Sequence, residues 1–135
     1  MAEDLQIETD LTRDLLSRLN DPNMHVRESA AEALALNTED EDWRPRDMIS
    51  QGGIEILKER LLEKNLHIVS SVLEIIIATA ANGGDEDLIS AGVIAILDAM
   101  QDHHDPGIRK QVREALWLLE PEVEDVVTSK PQDEY

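Results

Sequence analysis

Few residues in this chain have the type and spacing that chemistry needs. His103-His104-Asp105 is its densest run of metal-ligating types. Neighbouring residues in one loop rarely converge on an ion, and no further histidine lies nearby; His25 and His67 stand at the starts of two other helical segments. The chain has no cysteine, which removes both a thiolate metal site and a disulfide framework. Its serines have no histidine and acid at a spacing that marks nucleophilic catalysis. Gln51-Gly52-Gly53 and Asn82-Gly83-Gly84 lack the G-x-x-x-x-G-K-S/T spacing, and the lysine, of a phosphate loop. Their glycines read as helix punctuation. The residues therefore point to a non-enzymatic protein with no metal and no cofactor.

Charge narrows the partner. Twelve basic residues face 30 acidic ones, a net charge of −18. Nucleic-acid affinity comes largely from Lys and Arg neutralising phosphates, so this balance argues against nucleic acid. It argues equally against an anionic membrane surface, and it favours a basic protein partner. The same acidity also serves solubility, or a high-salt cytoplasm, and only four of the basic residues are lysine. Met1 runs straight into Ala-Glu-Asp with no signal peptide in view, so the default compartment is the cytoplasm. At 135 residues the chain is one domain. With no Phe, and only Trp43, Trp117 and Tyr135 as aromatics, the core must be Leu, Ile, Val and Ala.

The elements that position these residues are helices. From Ile68 to Ala81 apolar side chains occupy nearly every face, the mark of a helix buried on most sides. The run is too short and too interrupted to span a bilayer, and Asn82-Gly83-Gly84 ends it. A helical stripe of Leu11, Leu15, Leu16 and Leu19 precedes an Asn-Asp-Pro-Asn turn, and Val26–Leu36 is a second amphipathic helix. Past the acidic stretch 37–42, helices are expected over 46–51, 54–62, 66–81, 85–91, 93–100 and 108–119. Residues 1–10 read as a flexible acidic start, 11–119 as the folded domain and 120–135 as an acidic tail.

These helices repeat. MISQGGIEIL at Met48 and LISAGVIAIL at Leu88 align at an offset of 88 − 48 = 40. The same offset carries Ile68 onto Ile108, Val72 onto Val112 and Ile76 onto Leu116. Upstream, Val26, Ala30 and Leu34 precede Ile68, Val72 and Ile76 by 42. A period near forty built only of helices means an α-solenoid, in which each unit buries its apolar face on its neighbours.

A family resemblance follows. Ile89-Ser-Ala-Gly92-Val-Ile94-Ala-Ile-Leu97, after a helix and an Asn-Gly-Gly break, resembles armadillo repeats. The first copy, from Leu19-Asn-Asp21-Pro22 through Val26-Arg27 to Ala33-Leu34, is more similar to a HEAT repeat, and the copy from Asp105 to Leu116 is intermediate. The fold expected is all-α: a right-handed α-solenoid of about three armadillo/HEAT-like repeats. The resemblance implies a curved stack whose third helices line a groove for protein partners. It also implies that Arg27 and Arg109 pair with an Asp of the preceding loop, Asp21 and Asp102 or Asp105.

In armadillo proteins that clamp extended peptides, the third helix carries a Trp and an Asn toward the partner. Setting Val26, Ile68 and Ile108 in register puts Glu32, Glu74 and Glu114 at the Trp position. Leu36, Ala78 and Leu118 fall at the Asn position. The peptide-clamp pattern is therefore absent. In its place stand an acidic row and, one turn later, an apolar row on the same side, expected to suit a basic or amphipathic helical partner. The function expected is a protein-interaction adaptor or scaffold. Alternatives drawn from the resemblance are a chaperone regulator of the heat-shock nucleotide-exchange type and a small-ligand or pigment-lyase-like protein. Trp43 is expected to plug the gap between repeats one and two. Trp117, on the last helix, is an interface anchor if exposed. Either a turn through Val123, Val126 and Val127 covers that end, or the chain self-associates through it.

Overall fold

The computed structural model describes the backbone of residues 2–120 and the side chains of residues 10–120. Among the described residues there are eight α-helices and no strands: α1 (Ala2–Arg18), α2 (Met24–Asn37), α3 (Pro45–Ser50), α4 (Gly53–Arg60), α5 (Leu66–Thr79), α6 (Asp85–Ser90), α7 (Val93–Ala99) and α8 (Pro106–Leu119). They group as two helices followed by two sets of three: α1–α2, α3–α5 and α6–α8. The two three-helix groups fit the armadillo-like reading of the repeat.

Helix α5 is the centre of the stack. It packs on α2 on one side and on α8 on the other. Ile68, Val69, Val72, Leu73, Ile75 and Ile76 have no exposed surface at all, and Glu74 is exposed. The helix thus has one wet edge, as its single charge requires. By composition and length the stretch 66–90 would cross a bilayer. Here its first fourteen residues are the core helix and a wide turn over Ala80–Gly84 divides it. Gly83 sits there at φ +98°, which an L side chain rarely adopts. A Cβ on Gly84 would lie 2.5 Å from the Thr79 methyl, so the turn folds back tightly on α5.

The last helix of every unit begins in the same way. Asn23 accepts the His25 N–H at 2.8 Å, Asn65 the Ile68 N–H at 3.0 Å and Asp105 the Ile108 N–H at 3.0 Å. These three N-caps stand 42 and 40 residues apart, the repeat spacing itself, and each satisfies a backbone donor left open by the helix start. Polar ties cross between units as well. Lys58 Nζ donates to the Ala91 carbonyl at 2.7 Å, and Gln111 Nε2 donates to the Ser70 carbonyl at 3.1 Å.

Two expectations are corrected. Helix α1 begins at Ala2 rather than Leu11. Residues 2–10 are rich in helix-forming Ala, Glu, Leu and Gln, and acidic residues at an N-terminus complement the helix dipole. Arg27 pairs with Asp21 as expected, though through its carbonyl as well as its charge, whereas Arg109 is tied to the His103 carbonyl. Arg27 also donates to the Pro22 carbonyl, and each loop turns its backbone oxygens toward the guanidinium. The turn expected through Val123, Val126 and Val127 lies outside the described residues.

Candidate binding cleft

Where the C-terminal turn of α2 meets the wet edge of α5 and the flank of α8, the stack leaves a cleft of about 390 Å³. Its lining is Ala35, Thr38 and Glu39 from α2 and the residues just after it, Glu74, Ile77 and Ala78 from α5, and Gln111 and Glu114 from α8. Three carboxylates converge on it and no cation lines it. Among the described residues none of the three takes part in an ion pair. Ala35, Ile77 and Ala78 supply an apolar floor beside them.

Of the six groove residues expected from the repeat register, the structure brings Glu74, Ala78 and Glu114 into this one cleft. Glu32 and Leu36 are exposed on α2, Leu36 with 62% of its surface open, but neither lines it. Leu118 is half-buried on α8, also outside the lining. From this unit the acidic residue in the lining is Glu39, just after α2, instead. It lies seven residues after Glu32, in the turn that follows α2, so the third carboxylate of the cleft comes from beyond the helix. The acidic stretch 37–42 held this residue in plain view. Ala35 and Ile77, 42 residues apart, are equivalent in the repeat and both line the cleft.

A larger cleft, about 460 Å³, lies on α1 and α2, lined by Leu15, Arg18, Asn23, His25, Val26, Ser29, Ala30 and Ala33. Repeat arithmetic explains it. Val26, Ala30 and Ala33 correspond at +42 to Ile68, Val72 and Ile75, which are fully buried. The equivalent face of α5 is closed within the stack, whereas on α2 it is left partly open beside α1.

The remaining candidates lie outside the acidic cleft. His103 and His104 stack with ring centroids 4.4 Å apart, and His103 Nδ1 accepts the Asp105 N–H at 3.0 Å. Among the described residues no group of three or more His, Asp or Glu side chains is placed to hold a metal ion. Trp43 is half-buried in a small crevice with Leu11 and Thr12 of α1 and Asp47 of α3, between the first and second units. Trp117 is 58% exposed on α8.

The junction of the first two units is held by a charged cluster. Arg27 grips Glu63 with two hydrogen bonds, 2.8 and 3.1 Å, and Arg60 reaches the same carboxylate at 3.0 Å. The Arg27 guanidinium is held above its ordinary pKa, first by the hydrogen bond to Glu63. Partial burial opposes the rise, and the charges of Glu63 and Asp21 add to it.

No protein-family model matches the sequence, and no curated protein matches it significantly. Solved structures do. An engineered protein of the Northeast Structural Genomics Consortium superposes with a TM-score of 0.75 at 20% identity, over 82% of this chain and 45% of its own. A designed armadillo repeat protein in complex with the peptide (KR)4 gives 0.72 at 22% identity, over 81% and 46%. Computationally designed armadillo repeat proteins for modular peptide recognition give 0.72 at 22% identity, over 77% and 44%. The chain therefore spans less than half the length of these structures. At such identities the likeness speaks for fold, and the fold of this chain is that of an armadillo-like helical-repeat solenoid.

Proposed function

We propose that this chain is a non-enzymatic protein-interaction module that takes a basic or amphipathic segment of a protein partner into the cleft between α2, α5 and α8. One observation carries the reading: Glu39, Glu74 and Glu114 line one cleft with no Lys or Arg in its lining, and among the described residues none of the three is in an ion pair. Three carboxylates lining one cleft favour an arriving Lys or Arg. The apolar floor of Ala35, Ile77 and Ala78 accommodates the methylene stems of such residues. The armadillo-like proteins it resembles support the reading, since one was solved with (KR)4 bound and others were made for peptide recognition. The net charge of −18 disfavours nucleic acid and anionic membranes as partners. No observation favours the chaperone-regulator or pigment-lyase-like readings over this one.

The test is a titration of the labelled peptide (KR)4 into the full chain, followed by fluorescence anisotropy. An exposed charge pair contributes roughly 0.2–1 kcal/mol, so Glu39→Gln, Glu74→Gln and Glu114→Gln together should weaken binding by about tenfold at low salt. Glu32→Gln, outside the lining, should change it far less. Equal losses from both sets would show a diffuse field rather than a cleft, and no binding by the unmodified chain would remove the proposal.

A further inference from the structure

The polar groups that line the acidic cleft are set to accept hydrogen bonds and have few to give. Thr38 spends its one hydroxyl hydrogen on the Ala35 carbonyl at 2.7 Å, so its Oγ1 has only lone pairs to offer. Gln111 donates through Nε2 to the Ser70 carbonyl at 3.1 Å, and nothing among the described residues donates to its Oε1. The backbone N–H groups of Thr38 and Glu39 are taken by the carbonyls of Ala35 and Leu36, at 3.2 and 3.1 Å. The ionised carboxylates of Glu39, Glu74 and Glu114 only accept. Five side chains of the lining thus present acceptors. The surroundings have the same sign. The cleft lies against the last turns of α2 and α5, the negative ends of their dipoles, and neither turn has a basic residue.

We infer that the cleft discriminates between the two basic side chains, and takes an arginine-bearing segment of the partner in preference to a lysine-bearing one. The inference rests on the reading of this cleft as the binding site and names the chemistry of what fills it. A net charge of −18 attracts lysine and arginine alike, so a preference has to come from the lining. A guanidinium carries five donors in a fixed plane, whereas an ammonium carries three about one point. Neutral acceptors standing among carboxylates engage more of the former. One carboxylate can take two parallel N–H groups of the fork, which leaves further N–H groups for Thr38 Oγ1 or Gln111 Oε1. The flat face of a guanidinium is weakly hydrated, and Ala35, Ile77 and Ala78 give it an apolar floor. A lysine ammonium is compact and strongly hydrated, and it has to shed that water to reach the same floor.

The experiment titrates the full chain with labelled octa-arginine and octa-lysine, peptides of one length and one formal charge, and follows fluorescence anisotropy. Octa-arginine should bind about tenfold more tightly, as a bidentate fork does over a point charge. Thr38→Val with Gln111→Leu keeps every carboxylate and the net charge, and should bring the ratio of the two affinities toward one. A second variant, Glu39→Gln, Glu74→Gln and Glu114→Gln together, changes exposed side chains only and should do the same. Far-UV circular dichroism checks the fold of both. Equal affinities in the unmodified chain would overturn the inference and leave the cleft as a general site for basic segments. A preference of undiminished size in the folded variants would overturn it too, because it would then belong to guanidinium on an acidic surface at large. Binding of neither peptide would remove the inference together with the reading on which it rests.

Discussion

Glu63 is the residue on which the junction of the first two units turns. Its carboxylate receives Arg27 through two hydrogen bonds and Arg60 through a third contact, with Glu63 12% and both arginines 18% exposed at the side chain. Arg60 also donates to the Leu19 carbonyl at 3.1 Å, at the exit of α1. Its Nε is buried without a partner, so the cluster already carries one unmet donor. Removing the carboxylate leaves two guanidinium groups facing each other in a half-dry pocket, a costlier change than losing a surface pair. Glu63→Ala should therefore lower the thermal midpoint by several degrees. Adding Arg27→Met to it should recover part of that loss, because the stranded charge goes with it. A double variant less stable than the single one would show that Arg27 acts mainly through the Asp21 and Pro22 carbonyls. The raised Arg27 pKa sets the sign of any pH effect from this group. Its contribution is complete below its ordinary value and is lost only as pH rises through the raised one, so it is constant across neutral pH.

At the scale of elements, the N-caps show how the repeat is written into the chain. Asn23, Asn65 and Asp105 do the same work at equivalent positions, but Asn65 does more. Its amide also donates to Glu28 Oε1 on α2 at 3.3 Å, so the cap of α5 is joined to the preceding unit. Asn65→Ala should cost about 1 kcal/mol or somewhat more, and Asn23→Ala less, as its helix start is open to water. Urea unfolding of the two variants checks the order; a larger loss at Asn23 would contradict it. The helices themselves were legible because apolar spacing and glycine breaks recur at 40 and 42 residues. Gly52 and Gly92, at φ +78° and +84°, turn α3 into α4 and α6 into α7 at matching positions. Contacts between units were not legible. Arg27 and Glu63 are 36 residues apart, and nothing local in either segment names the other. That Glu74 and Glu114 lie at equivalent positions follows from the register. Glu39 enters only because of how the end of α2 lies beside α5.

For the whole molecule, one sign of charge acts on two equilibria in opposite directions. A chain with 30 acidic and 12 basic residues repels itself when compact, and each repeat is stabilised only by its neighbours, so repulsion accumulates along the stack. Salt shortens the screening length from about 10 Å at 0.1 M toward 3 Å at 1 M. Raising sodium chloride across that range should therefore raise the thermal midpoint of the free protein. The same salt should weaken (KR)4 binding, because attraction to Glu39, Glu74 and Glu114 is screened too. Generic ionic stabilisation would strengthen or weaken both together, whereas the charge distribution described here requires the two curves to diverge. Thermal scans and peptide titrations over one salt series measure both. If affinity holds constant while the midpoint climbs, the cleft binds through its apolar floor of Ala35, Ile77 and Ala78, and the carboxylates only keep the protein apart from its own copies.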